Sequence, residues 1–138
     1  MNRNPMMRRG LATGLLLALA AAPGQGFAHH SFAMYDQQKI VALTGTVKAF
    51  QWTNPHALLW VEGGLEPGRA DDLWSIELST GPGNLARLGW SKRSLKPGDK
   101  VVVDLNPLRN GAHAGSLKKV MVVATGEVLT TTAAAAPR

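Results

Sequence analysis

The chain has 138 residues, which predicts one small domain and leaves no room for a large multi-domain enzyme. It contains no cysteine, and this excludes a disulfide scaffold, a cysteine-ligated metal site and a thiol nucleophile. The formal net charge of +6 arises from 15 basic and 9 acidic residues. Three of the arginines precede an apolar run near the start. Without them, 12 basic residues remain against 9 acidic ones, and a net charge of +3 does not indicate a dedicated nucleic-acid binder.

The first 28 residues have the pattern of an export signal. Three arginines and no acidic residue precede the apolar stretch Leu11–Ala22, and Gly26 and Ala28 supply the small residues of a cleavage site. The stretch is shorter than the roughly 20 residues that span a bilayer, although an uncleaved anchor is the alternative. We therefore predict a signal peptide at 1–28 and a periplasmic or secreted mature protein, free of the membrane after cleavage, that begins at His29.

The mature chain is predicted to fold as short strands around one helix. A short helix is predicted at Leu85–Leu88, with Asn84 as its N-cap and Gly89 at its end. The alanine-rich residues 130–138 are predicted to form a disordered tail. Alternating apolar residues between turn signals predict five main strands and a short final one; the five are Ile40–Trp52, His56–Glu62, Leu73–Leu78, Val101–Leu105 and Leu117–Ala124.

The first of these strands changes its buried face near its end. Phe50 and Trp52 have the opposite parity to Leu43 and Val47, which predicts a bulge or a bend, and Gly45 permits a tight bend. The order of elements predicts an all-β fold over residues 29–129: a small five-stranded OB-like barrel with one short helix between strands 3 and 4. An open sandwich of the same strands is the alternative.

Histidines are the strongest candidates for a metal site. If cleavage follows Ala28, the α-amine and ring Nδ1 of His29 can chelate one ion, and His30 offers a second mode through a deprotonated amide. Nitrogen ligands of this kind favour Cu(II), and imidazoles also bind Zn(II). His56 and His113 are the other histidines that could complete the site. The alternative is that the first two are simply solvated residues after a cleavage site.

The segment between the first two strands is the candidate ligand-binding loop. In an OB-like barrel this connection often contacts ligands. Trp52 offers a stacking face, and Asn54 and His56 offer polar groups. Trp90 is a further ligand-binding candidate, although it would equally plug one end of the barrel. The alternative for the loop is structural, with Asn54 and Pro55 forming a turn and the tryptophans packing in the core.

Catalytic signals are weak in this sequence. It contains no nucleophile elbow, no H-E-x-x-H motif and no phosphate-binding loop, so we predict no catalytic residue and favour a protein that is not an enzyme. Lysines and arginines gather at Ser91–Lys100 and Lys118–Lys119, where a solvated face is the expected role.

Several short motifs give the chain a family resemblance. The strings HHSFAMYD at 29–36, LTGTV at 43–47 and QWTNPHA at 51–57 are followed by GW at 89–90, SLKPGD at 94–99 and PLRNG at 107–111. The chain thereby resembles a family of short exported bacterial proteins of unknown function. The resemblance covers nearly the whole mature chain and implies a small β structure that begins near HHSF. It implies no activity.

The expected function is that of an exported, non-enzymatic binding module. We predict that it binds Cu(II) or Zn(II) through histidines and a small ligand at the Trp52–His56 loop, with no certain cofactor and no nucleic-acid partner. One alternative is a copper enzyme that uses the mature N-terminal His29. Another is a module that binds a protein of the cell envelope.

Overall fold

The computed structural model describes residues 32–66 and 72–133. Within them, a 3-10 helix at Phe32–Met34 precedes the strands, and an α-helix, α1, lies at Pro82–Arg87. The strands are β1 (Val41–Gln51), β2 (Leu58–Gly64), β3 (Asp72–Glu77), β4 (Lys100–Pro107), β5 (Ala114–Val122) and β6 (Val128–Thr130).

The described strands form one closed sheet with an added edge. Their order is β3-β2-β1-β4-β5-β6, and each neighbouring pair is antiparallel. A parallel pairing of β3 with β5 closes the first five strands into a barrel, and α1 connects β3 to β4. The prediction of an all-β, OB-like barrel is confirmed, and the closure between β3 and β5 excludes the open sandwich.

Alternating side chains explain why the strands close around a core. Every second residue of β2 is buried, and in β3 the buried positions are Trp74 and Ile76 while Ser75 and Glu77 face outward. Leu85 of α1 and Trp90 both lie in the segment between β3 and β4. Their side chains pack into the same core. The fully buried large side chains are Leu43, Val47, Leu59, Val61, Ile76, Leu78, Leu85, Val101, Val103, Leu105, Leu117 and Val120.

The predicted switch of buried face in β1 is confirmed, but its position differs. The register against β2 shifts between Val47 and Ala49, so the bulge lies at Lys48 and not at Gly45. Gly45 instead lies opposite Gly63 of β2, where the strands approach closely. A Cβ built on Gly63 would lie 2.2 Å from the carbonyl oxygen of Thr44, so this pairing requires glycine.

The predicted helix start at Asn84 is wrong. The helix begins at Pro82 with Gly81 as its N-cap, and Asn84 lies inside it. Proline is favoured in the first turn because its fixed φ is already helical and its missing N–H has no partner there. The Asn84 side chain donates its Nδ2 hydrogen to Oγ1 of Thr80, 2.9 Å away, so it contacts the preceding loop.

The packed chain extends beyond the predicted tail boundary at residue 130. β6 ends at Thr130, and the buried Thr131 donates its hydroxyl to the carbonyl of Leu117, 3.2 Å away. The predicted export signal at 1–28, the residues up to 31 and residues 134–138 lie outside the described residues. In the described part of the chain, no helix combines the length and apolar character needed to cross a membrane.

Candidate functional site at His56 and Glu77

The segment that precedes β1 is held against the end of the β4–β5 hairpin. Tyr35 forms a β-bridge with Leu108, and the amide of Asp36 donates to the carbonyl of Pro107 at 2.8 Å. The amide of Arg109 donates in turn to the carbonyl of Met34 at 2.9 Å. The HHSFAMYD and PLRNG strings, more than 70 residues apart, are therefore neighbours in space.

Glu77 joins this segment to the candidate ligand loop. The phenol of Tyr35 donates to Oε2 of Glu77 at 2.7 Å, and Nδ1 of His56 forms a short hydrogen bond with Oε1 of the same carboxylate. The register places Leu58, two residues after His56, directly opposite Glu77. The side chains of His56 and Glu77 are 28% and 24% exposed, so the site is accessible from solvent.

The ring of Phe32 lies beside His56. Their ring centroids are 6.2 Å apart and the planes are tilted by 51°. Because Glu77 occupies Nδ1, the second ring nitrogen, Nε2, is the one that remains for a ligand. Chemically, the cluster offers one oriented imidazole, one carboxylate and one phenol.

Burial raises the pKa of the Tyr35 phenol well above its ordinary value of 10.0. The hydrogen bond to Glu77 and the negative charge of that carboxylate raise it further. Since the folded state holds the phenol proton more tightly than the unfolded chain does, Tyr35 contributes stability that is fully present below pH 10. That contribution is lost as the pH rises above this value.

Tyr35 is the only tyrosine of the chain, so its ionisation can be followed directly by ultraviolet absorbance. We expect tyrosinate to appear only well above pH 10, together with loss of β-sheet signal in circular dichroism. Glu77→Gln should lower the pKa of Tyr35, because it removes the negative charge beside the phenol. A titration of the folded wild-type protein centred near pH 10 would contradict this geometry.

The Trp52–His56 loop contains an internal hydrogen bond and a cis peptide bond. The hydroxyl of Thr53 donates to the carbonyl of His56 at 3.2 Å, and the Asn54–Pro55 peptide bond is cis. Asn54 is exposed and lies against the N-terminus of α1, where a Cβ on Gly81 would be 2.7 Å from Oδ1 of Asn54. An open cleft of about 450 Å³ is lined by this loop and by the start of α1, at Asn54, Pro55, Thr80, Gly81, Gly83 and Asn84.

The two tryptophans predicted as ligand contacts have different environments. Trp52 is half-buried and packs edge-on to Phe50, with ring centroids 5.9 Å apart. Trp90 is only 3% exposed, and its indole N–H donates to the carbonyl of Thr130 at 2.8 Å. The structure therefore places Trp90 in the core of the barrel. Its ring has no free face for a ligand.

The structure does not bring all four candidate metal ligands together. His113 lies by the start of β3, with Nε2 3.5 Å from Oδ2 of Asp72, whereas His56 contacts Glu77 at the end of that strand. Within residues 32–66 and 72–133, no three histidine or acidic side chains form a cluster that would hold a metal ion. His29 and His30 lie outside the described residues.

Two residues of the cluster were missed by the sequence interpretation. Glu77 is an outward residue of an alternating strand, a position that normally indicates solvation. Tyr35 lies inside the HHSFAMYD string, and that string was the available signal for it. Glu77 could not be paired with His56 without the register of β2 against β3, and Tyr35 could not be placed beside Glu77 without its bridge to Leu108.

Comparisons with known proteins identify a family but no activity. The model of DUF6152, described as a family of unknown function, matches residues 16–118. The chain is similar to a crystal structure of a mitochondrial single-stranded DNA-binding protein from S. cerevisiae, with 9% identity and a TM-score of 0.46. That match covers 62% of this chain and 93% of the other. The comparison with curated proteins gives no match.

Proposed function

Since the chain belongs to the DUF6152 family, whose function is unknown, we propose a function from the site itself: an exported, non-enzymatic binding module for Cu(II) or Zn(II). In this proposal Nε2 of His56 is a ligand to the ion. The adjoining loop, with Trp52 and Asn54, contacts a further small molecule. The alternatives of a copper enzyme and of an envelope interaction module stay predictions, because no contact of the described residues favours them.

The observation that carries the proposal is the hydrogen bond between His56 and Glu77. A histidine that binds a metal through one ring nitrogen usually donates the other N–H to a carboxylate, a carbonyl or water. This contact selects the tautomer, orients the ring and increases the basicity of the ligating nitrogen. The arrangement of Nδ1 against Oε1 therefore supports Nε2 of His56 as a metal ligand.

The remaining ligands are proposed to come from His29 and His30. His30 precedes Phe32 by two residues, and two residues of extended chain span at most about 7 Å. Because the Phe32 ring lies beside His56, this short chain distance supports His30 as a further ligand in the proposal, and His29 is one residue farther along the chain. An α-amine at position 29 would add one more nitrogen, which suits Cu(II).

The test is metal titration of protein exported from the full chain. The N-terminus is first determined by mass spectrometry, and Cu(II) and Zn(II) are then titrated by calorimetry. We expect binding tighter than about 10 µM, and His56→Ala should weaken it by at least about tenfold. His113→Ala is the matched control, because His113 also contacts a carboxylate of β3, and we expect its affinity to stay within about twofold of wild type.

Two outcomes would overturn this proposal. One is the absence of binding tighter than about 10 µM in wild-type protein that begins at His29. The other is an unchanged affinity in folded His56→Ala. A mature protein that begins elsewhere would remove the α-amine of His29 from the site and leave His56 to be tested alone.

A further inference from the structure

A separate cleft lies at the mouth of the barrel, where β1 and β3 begin and β4 ends. It has a volume of about 240 Å³, and its walls include Val41, Trp74 and Leu108. Neither His56 nor Glu77 lines it. Barrel mouths are among the places where proteins bind small molecules, in concave sites with apolar walls and a few polar groups. The cleft has both kinds of lining.

Trp74 forms part of the apolar wall of the cleft. The residue is 5% exposed, and its Nε1 is buried without a hydrogen-bond acceptor among the described residues. Buried indole N–H groups usually have a partner, and that of Trp90 bonds to the carbonyl of Thr130. Trp74, which lines the cleft, therefore has a buried indole N–H without an acceptor among the described residues.

Among the described residues that line the cleft, positive side chains outnumber negative ones. The exposed side chain of Lys39 forms no ion pair with a described residue. Arg109 donates Nε to the carbonyl of Ala33 at 3.2 Å, and its nearest guanidinium nitrogen lies 4.0 Å from Oδ1 of Asp36. With the Arg109 side chain 58% exposed, guanidinium hydrogens remain for an anion. The described lining thus contributes two cations and one carboxylate.

We propose that this cleft binds a small organic anion. Its carboxylate or phosphate group lies between Lys39 and Arg109, and its apolar body packs on the wall that includes Trp74 and Val41. A cleft of about 240 Å³ is below the size of most drug-binding pockets, so the ligand is a short molecule. This site is independent of the metal site at His56.

Nuclear magnetic resonance of the indole N–H groups tests the proposal. The four tryptophans give four indole signals, and Trp74→Phe assigns one of them. With a chelator present, hexanoate should shift the Trp74 signal and leave that of Trp90 unchanged. Neutral 1-hexanol, and inorganic phosphate without an apolar body, should each bind at least about tenfold more weakly. Hexyl phosphate is titrated in parallel, and the tighter of the two hexyl anions identifies the anionic group.

Lys39→Gln is the diagnostic variant, because this exposed side chain is not needed for packing. It should weaken hexanoate binding by at least about fivefold, whereas Lys92→Gln, at an exposed lysine outside the cleft, should not change it. His56→Ala should also retain the affinity, which separates this site from the metal site. Equal binding of 1-hexanol, an unmoved Trp74 signal, or full affinity in Lys39→Gln would each overturn the proposal.

Discussion

Glu77→Ala is expected to lower the free energy of unfolding by about 2–3 kcal/mol. The substitution removes the acceptor of two hydrogen bonds, from the Tyr35 phenol and from His56. Tyr35 is 5% exposed, so its hydroxyl would lose its partner in a place that water reaches poorly. Hydrogen bonds to charged groups contribute more than neutral ones, and an unsatisfied buried donor adds its own cost.

Glu62→Ala is the matched control for this prediction. Glu62 lies on the neighbouring strand β2 and pairs with Lys48 at 3.3 Å, with both side chains nearly half exposed. Exposed pairs of this kind contribute about 0–1 kcal/mol, so the control should be nearly neutral. Urea denaturation with comparable m-values measures both. Equal losses of unfolding free energy in the two variants would contradict the role of Glu77 as the shared hydrogen-bond partner of Tyr35 and His56.

The same glutamate should control metal affinity at the proposed site. Replacing a carboxylate that orients a ligating histidine typically reduces metal affinity by about 10–100-fold. Glu77→Gln is the informative variant here, because its side-chain oxygen can still accept one hydrogen bond. We expect Glu77→Gln to keep most of the stability and to lose metal affinity, measured by the calorimetric titration described above. Unchanged affinity would remove the main support for the proposed metal site.

Gly63→Ala is expected to destabilise the barrel by about 3 kcal/mol or more. An added Cβ would lie 2.2 Å from the Thr44 oxygen and 2.6 Å from Cα of Gly45. Both are backbone atoms, so no side-chain rotation relieves the overlap. β1 and β2 would have to separate at a point where each also pairs with another strand of the closed sheet.

Gly83→Ala provides the control for chain entropy and helix propensity. No atom lies within 4 Å of a Cβ at Gly83, which is part of α1. Alanine is favoured over glycine in helices by up to about 1 kcal/mol, so this variant should be as stable as wild type or more stable. Thermal unfolding followed by circular dichroism compares the two. A Gly63→Ala protein as stable as Gly83→Ala would mean that β1 and β2 are not in contact at this pair.

The barrel could be predicted from the sequence because its rules are local. Alternation at Trp74, Ile76 and Leu78 marks a strand with one buried face. Turn signals at Gly98 and Gly126, which both have positive φ, precede β4 and β6. The first residue of α1 was harder to predict from the sequence, because asparagine and proline are both common near helix starts and the chain has Pro82 and Asn84 there. In the structure Gly81 is the N-cap, and it packs closely against Asn54 and Pro55, a long-range contact that the local sequence does not reveal.

The site was only partly predictable because it depends on register. His56 was identified as a candidate from its place between two strands. Its partner Glu77 became recognisable only when the pairing of Leu58 with Glu77 was known, and an outward glutamate alone predicts solvation. Trp90 was a candidate that the structure places in the core. A tryptophan after a helix can face a ligand or the core, and here its indole N–H donates to the carbonyl of Thr130, 40 residues away.

The closure of β3 on β5 has a consequence for folding kinetics. This parallel pairing joins segments about 40 residues apart, and the bonds of Glu77 to Tyr35 and His56 span 42 and 21 residues. Contacts of such long sequence separation form slowly and late, because their loop-closure entropy must be overcome first. We therefore expect the full Tyr35–Glu77–His56 arrangement, which sets the orientation of the imidazole, to be complete only in a closed barrel. A ligand that requires this orientation shifts the equilibrium toward the fully folded chain and resists its local opening.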